Sequence, residues 1–291
     1  MNQRLTLSQR LSQLPLPTLG GKQLWGDVFL YGGHRIQRNV LTQHHRLLAP
    51  GDIRLAVGTW ETCYNAFERH RKTGRIQLQS DHLVLLLHGF FRSKDSFGPM
   101  TRALQRAGYA AHGVNYPSTR QGLDDHARQV ELLLDRSQGY KRVSFVTHSM
   151  GGIVARVLLS RESAWRERVE VNRLVMIGTP NRGAQLVTHL SQLPGIEEVG
   201  GPALAALAPQ RAADLPVPRT KFGVIAGARG DGKGYNPLLH GDDDMTVSVA
   251  STRLPGAEDM LIVNAVHTFI MVNPTVVRAT LNYLETGAFR R

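Results

Sequence analysis

The chain has 291 residues, 42% of them hydrophobic, and carries a formal net charge of +12 at pH 7. This length allows one large core with an appendage, and no apolar run is long enough to span a membrane. Residues 1–20 lack the unbroken apolar core of a secretory signal, and the single cysteine, Cys63, excludes a disulfide within the chain. We therefore expect a cytoplasmic protein, with attachment to the periphery of a membrane as the open alternative.

Residues 1–80 are predicted to form a basic N-terminal extension that packs on the core. They contain 11 Lys or Arg against 4 Asp or Glu, a balance of +7, which is more than half of the charge of the whole chain. Their pattern predicts three short strands and one helix, at 27–31, 35–41, 53–57 and 60–71.

The basic surface of this extension suits an anionic membrane surface, an acidic partner or simple solvation. We expect no nucleic-acid partner, because the chain has no zinc-finger, helix-turn-helix or nucleotide-cradling motif. His44 and His45 are interpreted as surface residues rather than a metal site.

The next part of the chain alternates between apolar strands and helices. Residues 83–87 form an uninterrupted apolar run, which is typical of a strand buried on both faces of a parallel sheet. This strand ends in His88, Gly89 and Phe90. The elements predicted to follow are a helix, a strand and a helix, at 97–107, 110–115 and 122–136.

Residues 141–156, KRVSFVTHSMGGIVAR, predict a buried strand that turns sharply into a helix. Ser149 lies at the apex between His148 and two glycines, and Gly151 removes a side chain where strand and helix crowd each other. The pattern is that of a nucleophile elbow, Gly-x-Ser-x-Gly, with Thr147 in place of the first glycine. The turn exposes the hydroxyl, and the helix points its partial positive end at the serine oxygen. The alternative is an ordinary serine beside a Gly-Gly turn.

An elbow of this kind works with two backbone donors for the negative charge that develops on the substrate oxygen. One donor comes from the residue after the nucleophile, and the other from the loop after an earlier strand. Met150 and Phe90 occupy these positions and are the predicted oxyanion-hole residues. An ordinary strand-to-loop turn at His88 and Gly89 is the alternative.

Between about 183 and 215 the alternation is interrupted by a segment rich in Leu, Ala, Gly and Pro, which follows a strand predicted at 174–177. Its only charges from 183 to 210 are Glu197 and Glu198. A surface helix pair would normally be more polar, so we interpret the segment as a cap whose apolar face covers an acyl-binding pocket. An extra pair of core helices is the alternative.

The last part of the chain supplies an acid and a histidine. Two further strands and a final helix are predicted, at 222–226, 261–263 and 274–285. The acidic run Asp242, Asp243 and Asp244 follows the first of these strands, and His267 follows the second. The chain order serine, aspartate, histidine is that of α/β-hydrolases. Together the elements predict an α/β protein with a doubly wound, mainly parallel sheet and its catalytic groups at the carboxyl ends of strands.

The motifs resemble those of α/β-hydrolases of the bacterial lipase and serine-esterase kind. The similar segments are LVLLLHGF, SFVTHSMGG, LVMIGTPNRGA, DDDMTVSVAST and AVHTF, which span residues 83–271. The resemblance includes small Ala-His-Ser-Met-Gly-Gly lipases and lipases related to GPI inositol deacylases. It implies that the triad acid is the aspartate of an Asp-(Gly or Met)-x-Val run, which is Asp244 here. Asp242, Asp243 and Asp231 stay open, and the adjacent carboxylates lack the regular ligand spacing of a calcium site.

We therefore predict that residues 81–291 form the catalytic domain of a serine hydrolase, with Ser149, Asp244 and His267 as catalytic residues. It would cleave carboxylic esters, of lipid-like or acyl-chain substrates, through an acyl-enzyme intermediate. No cofactor and no metal are implied. The alternatives are an acyltransferase or thioesterase with the same triad, and a non-catalytic scaffold that binds a lipid or a protein.

Overall fold

The structure is a computed structural model that describes residues 16–17, 22–184, 212 and 214–289. Its first strands are β1 Leu16–Pro17, β2 Trp25–Tyr31, β3 His34–Asn39, β4 His45–Ala49 and β5 Ile53–Gly58. They form an antiparallel sheet in the order β1-β5-β4-β3-β2. Helix α1, Trp60–Lys72, packs against this sheet.

The antiparallel sheet and α1 share a hydrophobic core. Its buried members are Val28, Phe29, Ile36, Leu47, Ala56, Cys63, Ala66, Phe67 and Ile76. The rings of Phe29 and Phe67 meet edge to face with centroids 4.8 Å apart, a favoured geometry for an aromatic pair. Burial raises the pKa of the Cys63 thiol to about 12, so this thiol stays protonated and behaves as a small apolar side chain.

Six parallel strands form the second sheet: β6 His82–Leu87, β7 Ala110–Val114, β8 Arg142–His148, β9 Glu170–Ile177, β10 Lys221–Ala228 and β11 Asp259–Asn264. Their order is β11-β10-β9-β8-β6-β7. The chain runs from β6 outward to β7 and then returns to β8 on the other side of β6. In such a sheet a crevice opens where the winding direction reverses, at the carboxyl ends of β6 and β8.

Helices cover both faces of the parallel sheet. They are α2 Gly98–Arg106, α3 Leu123–Arg136, α4 Met150–Ser160, α5 Val249–Thr252 and α6 Pro274–Thr286. Along β6, Leu83, Leu85 and Leu87 belong to a core with residues of α3 and α4, whereas Val84 and Leu86 belong to a core with residues of α2 and α6. The predicted doubly wound, mainly parallel α/β sheet is confirmed.

A buried polar cluster around Asp27 in β2 joins the two sheets. The Asp27 carboxylate accepts hydrogen bonds of 2.7 Å from Arg35, from Gln37 and from the backbone N–H of Asn115. The Asp27 N–H donates to the Asn115 carbonyl at 2.8 Å. The side-chain amide of Gln129 in α3 donates to the backbone carbonyls of Asp27 and Asn115, at 3.0 and 2.9 Å. Since both carboxylate oxygens have partners, burial of this charge is compensated and the cluster fixes how the sheets sit together.

A buried arginine in α4 holds two distant stretches of main chain. Arg156 donates from Nη1 to the carbonyl of Asn181 at 2.9 Å, from Nε to that of Pro216 at 3.3 Å, and from Nη2 to that of Leu215. Burial lowers the pKa of its guanidinium to about 10. Asn181 precedes residues 185–211 and Leu215 follows them, so one side chain ties together the main chain on both sides of that segment.

Two differences from the predicted elements have local causes. The prediction omits β4, because this strand begins with His45 and Arg46 and has only Leu47 and Leu48 as large apolar residues. The predicted strand at 35–41 is two residues too long. It ends at Asn39, whose side-chain oxygen accepts the N–H groups of the next turn at 2.9 and 3.0 Å.

Most of the predicted cap, at 183–215, lies outside the described residues. In the part of the chain that the structure does describe, no helix has the length and apolar character needed to cross a membrane.

Candidate active site

Ser149 lies in a sharp turn between β8 and α4. Its backbone has φ 55° and ψ −125°, a conformation that residues other than glycine rarely adopt. A hydrogen bond of 2.9 Å from its N–H to the carbonyl of Ile177 holds the turn. A Cβ at Gly151 would lie 2.1 Å from the carbonyl oxygen of Leu87, so only glycine lets α4 approach β6 this closely.

Thr147 occupies the place of the first glycine in the elbow pattern. Its buried hydroxyl donates to the carbonyl of Val175 at 3.1 Å, so the polar group is satisfied on the neighbouring strand β9. The second glycine of the pair has a packing reason too, because a Cβ at Gly152 would lie 2.1 Å from the Thr179 hydroxyl oxygen.

His267 lies between Ser149 and Asp244. Its Nε2 is 2.9 Å from the serine Oγ, and its Nδ1 is 2.7 Å from Asp244 Oδ2. Asp244 is fully buried, and its Oδ1 accepts the N–H groups of Thr246 and Val247 at 3.0 and 2.7 Å. Because an ionised carboxylate only accepts hydrogen bonds, the proton of a neutral imidazole sits on Nδ1 and its Nε2 lone pair faces the serine hydroxyl. That is the tautomer of a general base.

Two glycines leave the space that the histidine and the aspartate occupy. Gly178 directly follows β9 with φ 57°, and a Cβ there would lie 3.2 Å from His267 Nδ1 and 3.3 Å from Asp244 Oδ2. A Cβ at Gly227 in β10 would lie 2.7 Å from the Asp244 Cβ. A larger residue at either position would displace the pair.

The four candidate acids have separate surroundings. Asp243 is buried like Asp244, but its carboxylate accepts backbone N–H groups of its own loop at 2.7 to 3.2 Å. The Asp242 carboxylate accepts the backbone N–H groups of Arg229 and Gly230, just after β10, at 2.8 and 2.9 Å. Asp231 is exposed, and its carboxylate lies 3.1 Å from the guanidinium of Arg229. Asp244 alone among the four contacts His267. No group of three or more His, Cys, Asp or Glu side chains that could hold a metal occurs among the described residues.

A second histidine, His148, packs against His267. It is 2% exposed, its Nε2 lies 3.0 Å from the His267 carbonyl oxygen, and the ring centroids are 4.7 Å apart. Burial, and then the neighbouring His267, lower the pKa of His148 well below its ordinary value. His148 is therefore neutral and donates this hydrogen bond from Nε2.

The two residues predicted to form the oxyanion hole follow Gly89 and Ser149. A Cβ at Gly89 would lie 3.0 Å from the Ser149 Cβ, so the main chain of this loop passes directly beside the serine. Phe90 is the next residue of the loop, and Met150 is the first residue of α4. Within the described ranges, neither of their N–H groups donates to a protein acceptor.

His88 anchors the start of this loop. Its Nδ1 is 2.8 Å from the Gly89 carbonyl oxygen, and its ring stacks on Tyr116 with centroids 4.0 Å apart. The Tyr116 hydroxyl donates to the His88 carbonyl. Burial lowers the pKa of His88 to about 4, so the ring is neutral at ordinary pH.

Large apolar side chains are exposed in the loops that carry these groups. Phe91 follows Phe90 and is 59% exposed, Met245 follows Asp244 and is 52% exposed, and Phe269 lies two residues after His267 and is 63% exposed. The loops that carry the oxyanion donor, the acid and the histidine therefore each expose one large apolar side chain.

Comparison with known proteins gives the fold. Residues 53–197 match a family model described as a domain of unknown function, DUF7379, and no curated protein matches the chain. The mature lipase BlEst2 of Bacillus licheniformis is similar in structure, with a TM-score of 0.56 and 20% identity over 69% of this chain and 91% of that one. The metagenomic carboxyl esterase MGS0156 has a TM-score of 0.54 and 17% identity over 72% of this chain and 77% of that one. The lin2722 product of Listeria innocua has a TM-score of 0.51 and 16% identity over 71% of this chain and 95% of that one.

The chain has the α/β-hydrolase fold. Within this fold, sequence reasoning missed three residues that shape the site. Gly178 has a signal, since it directly follows the buried strand in LVMIGTP. His148 lies in the elbow motif, but its contact is with a residue 119 positions away. Tyr116 has no signal in the sequence at all.

Proposed function

We propose that the protein is a serine hydrolase that cleaves carboxylic esters through an acyl-enzyme intermediate. The observation that carries this proposal is that one imidazole lies 2.9 Å from the Ser149 Oγ and 2.7 Å from the Asp244 carboxylate. In acylation, His267 Nε2 takes the serine proton as Oγ attacks the ester carbonyl carbon. The tetrahedral intermediate then collapses, the ester C–O bond breaks, and the same proton passes to the departing alcohol.

Water completes the cycle in the place of the alcohol. His267 takes a proton from the water as its oxygen attacks the acyl carbon, and returns that proton to Ser149 as the acid leaves. Asp244 stays ionised throughout, holds the imidazole in the useful tautomer and stabilises its positive form. Its two backbone donors, at 3.0 and 2.7 Å, keep the carboxylate in place.

The backbone N–H groups of Phe90 and Met150 would bind the oxyanion of both tetrahedral intermediates. A donor of this kind contributes on the order of 3 kcal/mol to transition-state stabilisation. The N-terminus of α4 adds a partial positive charge at the same place.

Acyl-chain or lipid-like esters are the proposed substrates. The support is that Phe91, Met245 and Phe269 are each exposed in a loop that carries Phe90, Asp244 or His267. A soluble, highly polar ester would leave these side chains uncovered, whereas an acyl chain buries apolar area at about 25 cal/mol per Å². BlEst2, which shares the fold, is a lipase, and this agrees with the proposed substrate class at the level of the fold.

Ester hydrolysis by the Ser149→Ala variant tests the proposal. With p-nitrophenyl esters of graded chain length, we expect kcat to fall by at least about 10³-fold, because nucleophile and base act as a unit. Ser160→Ala is the matched control, since this exposed serine ends the same helix and, among the described residues, its hydroxyl bonds only to the carbonyl of Val157. Equal turnover by Ser149→Ala and wild type would refute the proposal.

Two further measurements separate this proposal from its alternatives. Labelling of Ser149 by a fluorophosphonate distinguishes an enzyme from a non-catalytic scaffold. Product partition in the presence of an added alcohol, with ester and thioester substrates side by side, distinguishes hydrolysis from acyl transfer and from thioester cleavage.

A further inference from the structure

The loop that carries the Phe90 N–H contains a strained turn. The Arg92 N–H donates to the Gly89 carbonyl at 3.2 Å, which closes the turn, and Phe91 within it has φ 56°. A bulky residue rarely adopts a positive φ, and such a conformation persists only where neighbouring groups hold it. The position of the Phe90 N–H therefore depends on what holds the two ends of this turn.

One end is held by Gln23, which lies far away in the sequence. Its Nε2 donates to the Arg92 carbonyl at 2.9 Å, and its Oε1 accepts from the hydroxyls of Ser118 and Thr119 at 3.3 Å each. A single amide thus bridges the loop after β6 and the loop after β7. The other end is held from within the parallel-sheet layer, by Tyr116 on the His88 carbonyl.

Gln23 is connected to the antiparallel sheet rather than to the parallel one. It lies in a short 3₁₀ helix, Lys22–Leu24, that leads directly into β2, and the Leu24 carbonyl accepts the Val40 N–H at 2.9 Å. β2 is in turn fixed to the parallel sheet by the buried Asp27 cluster. The backbone that carries the Gln23 side chain is therefore fixed to both sheets by hydrogen bonds.

The antiparallel sheet reaches the same loop at a second point. Asp52, in the turn between β4 and β5, forms an ion pair of 2.8 Å with Lys94, two residues after Arg92. Both partners are mostly buried, with side-chain exposures of 28% and 16%. Two contacts from one sheet therefore fall within three residues of the loop.

We propose that Gln23 is a positioning residue of the oxyanion hole, and that the antiparallel sheet is the brace that holds the Phe90 N–H beside Ser149. This inference rests on the proposed function, because it assigns the sheet a part in the same reaction. It gives the N-terminal region a role in catalysis without any contact with the substrate.

The test compares Gln23→Met, Gln23→Glu and Gln105→Met with wild type. Met has similar length without hydrogen bonds, and Glu keeps the acceptor for Ser118 and Thr119 but cannot donate to the Arg92 carbonyl. Gln105→Met is the matched control, since Gln105 also donates from Nε2 to a backbone carbonyl at 2.9 Å, that of Ala111, away from the oxyanion loop.

For both Gln23 variants we expect kcat for a p-nitrophenyl ester to fall roughly tenfold with KM within about twofold. Complete loss of one oxyanion donor costs about 10²- to 10³-fold, and displacement of a donor costs part of that. We also expect faster deuterium exchange of the Arg92 amide in the Gln23 variants, at unchanged melting temperature, and wild-type values of kcat and exchange in Gln105→Met.

The outcomes separate this inference from the proposed function. Wild-type kcat and wild-type exchange in Gln23→Glu would overturn the positioning role while leaving the serine hydrolase intact. A wild-type protein that neither hydrolyses esters nor reacts with a fluorophosphonate would overturn the proposed function. Deuterium exchange would still decide, in that case, whether Gln23 holds the turn.

Discussion

The Nε2 of His148 donates a 3.0 Å hydrogen bond to the backbone carbonyl of His267, and the two imidazoles lie 4.7 Å apart. Asp244 holds the His267 ring from its Nδ1 side, whereas His148 holds the main chain of the same residue. Because the pKa of His148 is strongly lowered by burial and by His267, its ring stays neutral. A neutral neighbour does not repel His267 when that residue gains a proton.

Replacing His148 is expected to loosen this support. His148→Leu removes the donor to the His267 carbonyl, and we expect kcat for a p-nitrophenyl ester to fall roughly tenfold, since small displacements of a catalytic group are costly. His148→Gln retains an N–H donor and should recover part of the loss. Circular dichroism and the melting temperature check that both variants are folded. Equal kcat in His148→Leu and His148→Gln would contradict a role for the hydrogen bond.

Asp244→Asn should identify the triad acid. The amide can present its N–H to His267 and favour the wrong tautomer, so we expect kcat to fall by on the order of 10⁴-fold in a folded protein. Asp231→Asn is the matched control, because Asp231 is exposed, and its kcat should stay within about twofold of wild type. The assignment fails should Asp231→Asn, and not Asp244→Asn, lose activity.

Stability should fall as the pH is lowered below the ordinary histidine range. Burial lowers the pKa of His88 and of His126 from 6.5 to about 4. Between these values the unfolded chain binds protons that the folded protein excludes, so each histidine lowers the free energy of unfolding by up to about 1.4 kcal/mol per pH unit. Above pH 6.5 the effect disappears. Urea denaturation at pH 7.5, 6 and 5 measures the slope.

His126→Phe isolates one of these histidines. It replaces a buried ring that lies 4.9 Å from Tyr116 with a ring that cannot titrate. We expect its pH dependence below 6.5 to be shallower than that of wild type by about one proton. Parallel slopes for the two proteins would show that His126 binds protons equally in both states.

The Asp27 cluster should couple the unfolding of the two sheets. Asp27→Ala leaves the Arg35 guanidinium buried without its carboxylate, and we expect the free energy of unfolding to drop by about 3 to 5 kcal/mol. Asp81→Ala is the control, because Asp81 is half-exposed and only approaches Lys141 and Arg142 at 3.9 Å. Fluorescence of Trp60 near one sheet and Trp165 near the other can follow the two layers. A stability of Asp27→Ala within about 1 kcal/mol of wild type would refute this coupling.

The parallel sheet was open to prediction because its signals are local. Neighbouring residues are enough to indicate the buried strand at 83–87 and the sharp strand-to-helix turn at Ser149. The chain order of Ser149, Asp244 and His267 then predicted that these three side chains form a triad. Their catalytic roles remain predictions until activity is measured. The resemblance implied Asp244 but left Asp243 open; both are buried and adjacent, and only the direction of the carboxylate distinguishes them.

Long-range polar contacts were not open to prediction. The bonds of Asp27 with Asn115 and of Gln23 with Arg92 join residues 88 and 69 positions apart, and nothing in either neighbourhood indicates the partner. The sequence predicted residues 1–80 as a basic extension with short strands and a helix that packs on the core, but it did not indicate the buried hydrogen bonds that attach the described antiparallel sheet.

The attachment of Arg156 to Asn181 and Leu215 has an evolutionary consequence. Since one guanidinium bonds to both anchor points, we expect their separation to be kept when the peptide between them changes in length or composition. Doubling the length of such an insert costs only about 0.6 kcal/mol in closure entropy. Arg156 would then mark a position at which the chain can accept sequence changes while the two anchor points keep their geometry.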